Sequence, residues 1–561
     1  MDDAQGGTPV PSAQVPGTPV LVPPPAPPPS ANWEAKQHPF MATNPRATIH
    51  NNGYMTDAYA SGGPPLSKAQ PTPIYKSLDG LCATHVFDAD SGGNLLTVCI
   101  GTTLTSLRSR TMHALDPATL KVRKSIALPA APGSPKSFSG GGYFYLDNNL
   151  TPPRSIIAAS DRCIHEIGYD ASTSTFKEFA EVAKEGVAIP SLPPGTLHGD
   201  KAATVGGYNI GEALGSAGNQ CNATPSDEKG KIASVMPDSK GNYWAITEGD
   251  SEQPAQVVVA RVGPDSQGKR TLQSVHKMDL SPTDTRSGAT AVEHIVNSLA
   301  TDNEGGIYIV SDYAMYRFDA DGSNAPVVTW RATYDRCLGG SCTTPKPGQA
   351  SIGSGTTPTL VSDQFVAIAD GATPMKVVVF RREKTLPTGA KRLHCTAEAL
   401  PGVANTATEN SLVANGPDLY VENNYGYVDV NSTKGDLTTE PGIGRVTMKS
   451  NGVCSSETIN KTYGAPSVVA KLSKANNLLY SYVKKGGDKP GWSFVGFDLR
   501  QGTATYGSPV IDWFIGTGDK YNNNFAPVTI GPSGKTYVGL NTGIVLVDYD
   551  AVPTAAQRRR R

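Results

Sequence analysis

One local pattern recurs from about residue 80 to residue 550, and it limits the fold more than any other feature of the chain. It is a short apolar strand, a turn of Asp, Asn and Gly, then an alternating strand that opens on an aromatic residue. Ala233-Ser-Val-Met-Pro-Asp-Ser-Lys-Gly-Asn-Tyr-Trp-Ala-Ile-Thr247 and Ser298-Leu-Ala-Thr-Asp-Asn-Glu-Gly-Gly-Ile-Tyr-Ile-Val-Ser311 match position by position. Val528-Thr-Ile-Gly-Pro-Ser-Gly-Lys-Thr-Tyr-Val-Gly539 and Ser411-Leu-Val-Ala-Asn-Gly-Pro-Asp-Leu-Tyr-Val-Glu422 keep the turn and the Tyr-Val strand. Several copies run on into a strand ending on an acidic turn: Ala314–Gly322, Ser493–Gly502 and Gly543–Asp550.

Units begin near residues 84, 138, 231, 297, 357, 410, 467 and 526. Their spacing of roughly 55 to 65 exceeds the ~40 to 45 of a minimal four-stranded blade, so long loops supply the excess. Helical periodicity is scarce, the best stretch being Phe176 to Val187. Radial repetition protects the edges that a lone open sheet would expose. The pattern therefore predicts an all-β chain, a single β-propeller of seven or eight four-stranded blades. A strand from residues 40 to 85 is expected to complete the last unit and close the ring. Three regions follow: a Pro-rich disordered leader (1–35) around Val22-Pro-Pro-Pro-Ala-Pro-Pro-Pro-Ser30, the propeller (36–552) and a basic tail (553–561) ending in Arg558 to Arg561. The Gly-, Pro- and Ala-rich stretch 180–230 reads as an elaborated insertion.

Lys and Arg total 49 against 50 Asp and Glu, so no broad field exists to attract nucleic acid. No segment is apolar for the ~18 residues that a spanning helix needs. Asp2 and Asp3 follow Met1, and no secretory signal is visible. The eight cysteines lack metal-type spacing, and disulfides suit them better, which argues for a secreted, periplasmic or cell-surface protein. Cys337 and Cys342 flank a Gly-Gly turn and are expected to pair. Proximity along the chain would pair Cys82 with Cys99, Cys163 with Cys221 and Cys395 with Cys454, among 105 possible connectivities. Sequons stand at Asn149, Asn222, Asn431 and Asn460, which would suit surface loops of a glycoprotein.

The turn-strand repeats resemble the propellers of the quinoprotein-like and the gluconolactonase- or paraoxonase-like superfamilies. The segments Ile49-His-Asn-Asn-Gly-Tyr-Met-Thr-Asp57, Glu409-Asn-Ser411, Glu422-Asn-Asn-Tyr-Gly-Tyr427 and Tyr521-Asn-Asn-Asn-Phe525 are similar to those of an exported propeller family that brings no established chemistry. A pyrroloquinoline quinone enzyme of the first superfamily would show an adjacent Cys-Cys pair and Trp-rich docking motifs. With five Trp, no such pair and no Cys-X-X-Cys-His, neither that cofactor nor haem is expected.

Asn clusters with acidic residues at equivalent places in several units, and equivalent places in a propeller converge on its axis. Such oxygens suit Ca²⁺, and six-bladed lactonases and arylesterases place a catalytic calcium in that style. Glu409 and Glu422 are then candidate anionic ligands, Asn423 and Asn523 neutral ones, Asp370 a further carboxylate and His50 a general base. The same Asn-rich segments also suit tight turns, because Asn bonds its own backbone and tolerates left-handed conformations. His294 beside Glu293 would point to the opposite face of a strand, and His85, His165 and His394 read as core or surface residues. The expected function is hydrolysis of an ester or lactone of a small organic substrate at a central divalent-metal site. The alternative is a non-catalytic ligand-binding or scaffolding propeller at the cell surface.

Overall fold

The computed structural model describes residues 32–549 apart from 67–69, 79, 102–109, 129–142, 149–153, 161–162, 171–174, 177–205, 210–231, 250–253, 265, 267–269, 281–292, 337–343, 450 and 488–489. The leader before residue 32, the basic tail, Cys221, Cys337, Cys342, Asn149, Asn222 and most of 180–230 lie outside the described residues. The side chains of Cys163 and His165 do too.

Eight antiparallel sheets follow one another along the chain, and the protein is an eight-bladed β-propeller. Their innermost strands are Leu81–Phe87, Phe144–Leu146, Ile232–Pro237, Ala300–Thr301, Thr359–Leu360, Val413–Asn415, Lys471–Ser473 and Val528–Ile530, which we number blades 1 to 8. The eighth is completed from the other end of the chain. Ile74–Ser77 pairs antiparallel with Gly543–Val547 as its outermost strand. The described helical pieces are two short 3-10 turns, Val430–Thr433 and Asp519–Tyr521.

The repeat has a physical cause in the first hairpin. Asp238 Oδ1 accepts the Lys240 and Asn242 amides, and its Oδ2 accepts Trp244 Nε1 at 2.9 Å. Asp302 does the same with Glu304, Gly306 and the Tyr308 hydroxyl. One carboxylate thus satisfies the turn and anchors the aromatic of the returning strand, so Asp and aromatic recur together. Alternate residues of each strand fill the spaces between blades, as with Trp244 and Phe318.

Two disulfides tie described strands. Cys82–Cys99 joins neighbouring strands of blade 1, and Cys395–Cys454 joins the outermost strands of blades 5 and 6. Of the described sequons, Asn431 is exposed, whereas Asn460 is buried with its amide donating to Gly507 O at 3.1 Å.

We call upper the end of the ring at which the innermost strands begin. Residues 32–46 cross the lower end against first-hairpin turns: Asn32 on Asp363, Lys36 on Glu304, Phe40 against Gly241 and Arg46 on Asp90. The chain then turns into the channel. Residues 46–59 are all buried and bond the innermost strands of five blades. Leu146 donates to Ala47 O, Thr301 to Gly53 O, Leu360 to Tyr54 O, Ala414 to Thr56 O and Leu472 to Asp57 O. Ala58–Tyr59 pairs parallel with Lys471–Ser473. This plug is part of the core, since Tyr54 and Met55 pack in one cluster with strands of blades 2 to 5. Gly53 is required where it sits, because a Cβ there would lie 2.9 Å from Thr301 O.

Candidate functional site

The plug carries His50 into the channel and fixes it. Asn52 N donates to His50 O at 3.0 Å, and Lys471 Nζ donates to the preceding Ile49 O. Asn51, Met55 and Asp57 take left-handed backbone conformations (φ 75°, 57° and 56°), so this segment folds back tightly enough to bring Asp57 onto His50. His50 Nδ1 lies 2.9 Å from the Asp57 carboxylate, which also receives Lys471 Nζ. All three side chains are 3% exposed or less. Burial pulls the Lys471 ammonium down and the Asp57 charge pulls it back up.

This arrangement sets the imidazole tautomer. A carboxylate only accepts, so Nδ1 carries the proton and Nε2 is left as a base. Nε2 faces Ser411 Oγ at 3.4 Å, across from the plug on the approach to the innermost strand of blade 6. An interaction of that length is loose.

Around His50 the upper ends of the blades form a continuous polar network, its side chains buried except for the half-buried Tyr143 and Asn297. Asn410 Nδ2 donates to Glu422 Oε2 at 3.3 Å and to Val468 O. Glu422 Oε1 accepts Ser481 Oγ at 2.5 Å. Asn424 Oδ1 accepts Glu409 N and Thr408 Oγ1. Asn297 Nδ2 bonds Glu409 O at 3.2 Å, and its Oδ1 accepts the Tyr143 hydroxyl. Burial pushes the carboxyl of Glu409 up to about 8, against a single backbone donor, Ala350 N. Glu422 is likewise pushed to about 8 by burial, which outweighs Ser481, Ala470 N and Asn410. Both are therefore largely neutral acids near pH 7. Glu409 lies over Gly355, where a Cβ would meet its carboxylate at 1.7 Å.

His50, Glu409, Glu422, Asn423 and Asn523 all come to this upper end. Asn423 Oδ1 accepts Ala407 N and Tyr425 N while its Nδ2 bonds Asn405 O and Pro441 O. Asn523 Oδ1 accepts Ser467 Oγ, and its Nδ2 bonds Ala526 O and Gly539 O. Asp370, pushed up to about 7 by burial, accepts Ala372 N and Lys376 N within its own turn in blade 5. Calcium takes about six to eight oxygens. The Asn423 and Asn523 oxygens are spent on the fold, and no three His, Cys, Asp or Glu gather to hold a metal among the described residues. The donor set does not fit that ion.

The adjacent Glu293 and His294 turn to different partners: Glu293 to Ser311, Tyr316 and Arg331, and His294 to Asp312. His85 is core and burial depresses it to about 3, whereas His394 is half-buried against Phe365. The members that sequence reasoning passes over are Asp57, Ser411 and Lys471. The first two close the quoted segments Ile49–Asp57 and Glu409–Ser411. Lys471 is a lone charge in the apolar run Val468-Val-Ala-Lys-Leu472, a pattern that signals a buried partner.

No family model matches the chain. It is 27% identical over 278 residues to an uncharacterized protein of Archaeoglobus fulgidus, covering 45% of this chain and 51% of that one. The chain thus spans about half the length of the curated relative it matches. Among solved structures it is similar to a putative 6-phosphogluconolactonase from Bacteroides uniformis (13% identity, 75% of this chain and 99% of that one, TM-score 0.35). It is also similar to the dihydro-heme d1 dehydrogenase NirN (10%, 84% and 72%, TM-score 0.38) and the Dos1 propeller (9%, 85% and 94%, TM-score 0.41). The eight-bladed fold stands on the order of the sheets themselves.

Proposed function

We propose that the upper end of the channel binds a small polar ester or lactone and that His50 serves as general base in its hydrolysis. The observation that carries this reading is the His50–Asp57 bond of 2.9 Å, which leaves Nε2 as the acceptor of a fixed imidazole. A base so held removes the proton of an attacking hydroxyl, and the buried Asp57 carboxylate stabilises the imidazolium that results. Glu409 and Glu422, held neutral near pH 7, are suited to donate hydrogen bonds to a carbonyl oxygen as negative charge develops on it.

Lys471 favours the alternative, a non-catalytic ligand-binding propeller. Its ammonium already compensates Asp57, as a bond serving only to seat the plug would require. We also propose that the protein works outside the cytoplasm. Its disulfides are compatible with that location, and no described helix is long and apolar enough to cross a membrane.

The test is a panel of short-chain aryl esters and five- and six-membered lactones assayed with wild type and His50→Gln. Hydrolysis by the wild type that falls by at least about a hundredfold in a folded variant supports the base. Turnover that is indifferent to His50→Gln rules out His50 as the base, and saturable binding of panel members with no turnover points to the ligand-binding reading.

A further inference from the structure

We infer that Ser411 is the nucleophile of a Ser411–His50–Asp57 triad assembled from the plug and the ring, so that hydrolysis proceeds through an acyl-serine. This inference rests on His50 acting as the base of the same site.

The hydroxyls of this region divide into two kinds. Thr357 donates to Asn297, Thr408 to Asn424, Ser467 to Asn523 and Ser481 to Glu422, each bracing an amide or carboxyl that holds neighbouring segments together. Ser411 stands apart: its hydroxyl meets an imidazole nitrogen at 3.4 Å and has no other hydrogen-bond partner among the described residues. That nitrogen is the acceptor left by Asp57, so the polarity runs in the sense that activates Ser411 Oγ. A triad is defined by such geometry and roles, and the chain order His50, Asp57, Ser411 is no obstacle.

Both halves are held rigidly. On the ring, Glu409 N is fixed by Asn424 and the Asn410 amide by Val468 O, ahead of Ser411. Behind it, Leu412 O accepts Thr359 Oγ1, and Ala414 N donates to Thr56 O of the plug. On the plug, the Lys471 ammonium holds Asp57 and Ile49 O together. Reacting groups fixed in this way lose little freedom on reaching the transition state.

The steps balance without a further reactant. Ser411 Oγ attacks the acyl carbon and its proton passes to His50 Nε2. The bond from carbon to the leaving oxygen then breaks, and His50 returns the proton to that oxygen, which stays tethered as a hydroxyl if the substrate is a lactone. Water, deprotonated by His50, attacks the acyl carbon, the bond to Oγ breaks and Ser411 recovers its proton. One water is consumed, and an acid and an alcohol, or one hydroxy acid, are released.

The experiment treats the full chain with a fluorophosphonate, which phosphonylates an activated serine with loss of fluoride, and locates the adduct by peptide mass spectrometry. The expected result is one adduct, on Ser411, absent from Ser411→Ala and from His50→Gln. Ester turnover should fall at least about a thousandfold in Ser411→Ala, with an unchanged melting temperature. Ser411→Thr, which keeps the hydroxyl, guards against a variant that loses activity by misfolding. If it melts like wild type and remains unlabelled while Ser411→Ala alone unfolds, the serine is structural and the triad is wrong. Should Ser411 stay unlabelled and Ser411→Ala stay active while His50→Gln is dead, His50 activates water directly. The triad then fails and the base stands. Turnover indifferent to both residues overturns both.

Discussion

Replacing Lys471 by Met keeps the length and apolar volume of the side chain but removes a cation that is 0% exposed. Two bonds go with it, to the Asp57 carboxylate and to Ile49 O. Breaking one side of a buried ion pair costs about 3–5 kcal/mol, because the abandoned charge stays in a poorly solvating site. The unanswered Ile49 carbonyl belongs to the same penalty and adds about 1 kcal/mol or more. A net loss of at least about 3 kcal/mol is therefore expected. Adding Asp57→Asn removes the stranded charge as well, so the double variant should recover on the order of 1–2 kcal/mol relative to Lys471→Met alone. Guanidinium unfolding followed by tryptophan fluorescence and by circular dichroism, with coincident transitions, completes the cycle. A Lys471→Met protein within about 1 kcal/mol of wild type, or strictly additive losses, would refute a buried Asp57–Lys471 pair that seats the plug.

Further outcomes follow from the same contacts. Glu409 and Glu422, raised by burial from 4.5 to about 8, and Asp370, raised from 3.8 to about 7, hold protons in the folded state that the unfolded chain has released. Their contribution is complete at low pH and is lost as pH rises through those values. His38 and His85, lowered from 6.5 to about 4 and 3, act oppositely, their contribution growing with pH up to 6.5. The two sets oppose each other below 6.5. Between 6.5 and 8 the acids dominate, opposed toward pH 8 by Lys346, which burial lowers to about 8, and stability should fall by roughly 1–3 kcal/mol per pH unit. A thermal melt that is flat over that window, or equally steep in Glu409→Gln/Glu422→Gln, would contradict this. Replacing Cys395 and Cys454 by Ala opens a loop with a sequence separation of 59 and should cost about 4 kcal/mol. The same change at Cys82 and Cys99, with a separation of 17, should cost about 3 kcal/mol, so the first variant should have the lower denaturation midpoint. Gly355→Ala drives a methyl into the Glu409 carboxyl, so panel turnover should drop more than the melting temperature does. Equal loss of both would make Gly355 a packing residue only. Calcium, added or chelated, should leave the melting temperature unchanged, because the Asn423 and Asn523 oxygens are already bonded.

The ring was legible in the sequence because each blade announces itself locally. In blades 3 and 4 the Asp of the first hairpin and the following aromatic form one unit held by one carboxylate, other blades keep a turn of Gly, Asn or Ser before the returning strand, and the eight expected starts fall within six residues of the observed innermost strands. The cysteine pairs 82–99 and 395–454 were reachable from nearness in sequence, since neighbouring blades are also consecutive. The site was only half legible. His50 stood out by its chemistry, but its partner Ser411 lies 361 positions away and meets it only because the plug threads the channel. No periodic pattern marks a segment that bonds five blades in irregular conformation. Asn presents the converse difficulty. In Asn423 and Asn523 the amides that could ligate a metal are the ones that brace turns across distant segments, and side-chain type does not separate these uses.

The seating of residues 46–59 in the channel underlies the site, the proposed reaction and the stability of Lys471 alike. Hydrogen exchange of the native protein, read by mass spectrometry, tests it directly. The Asn51, Met55 and Asp57 amides, bonded within the plug, and those of Thr301, Leu360, Ala414 and Leu472, bonded to it, should exchange as slowly as the strand Leu478–Lys485 of blade 7. Rapid exchange of the plug peptides while that strand stays protected would mean that the segment does not reside in the channel, and His50 would then have no fixed place beside Ser411.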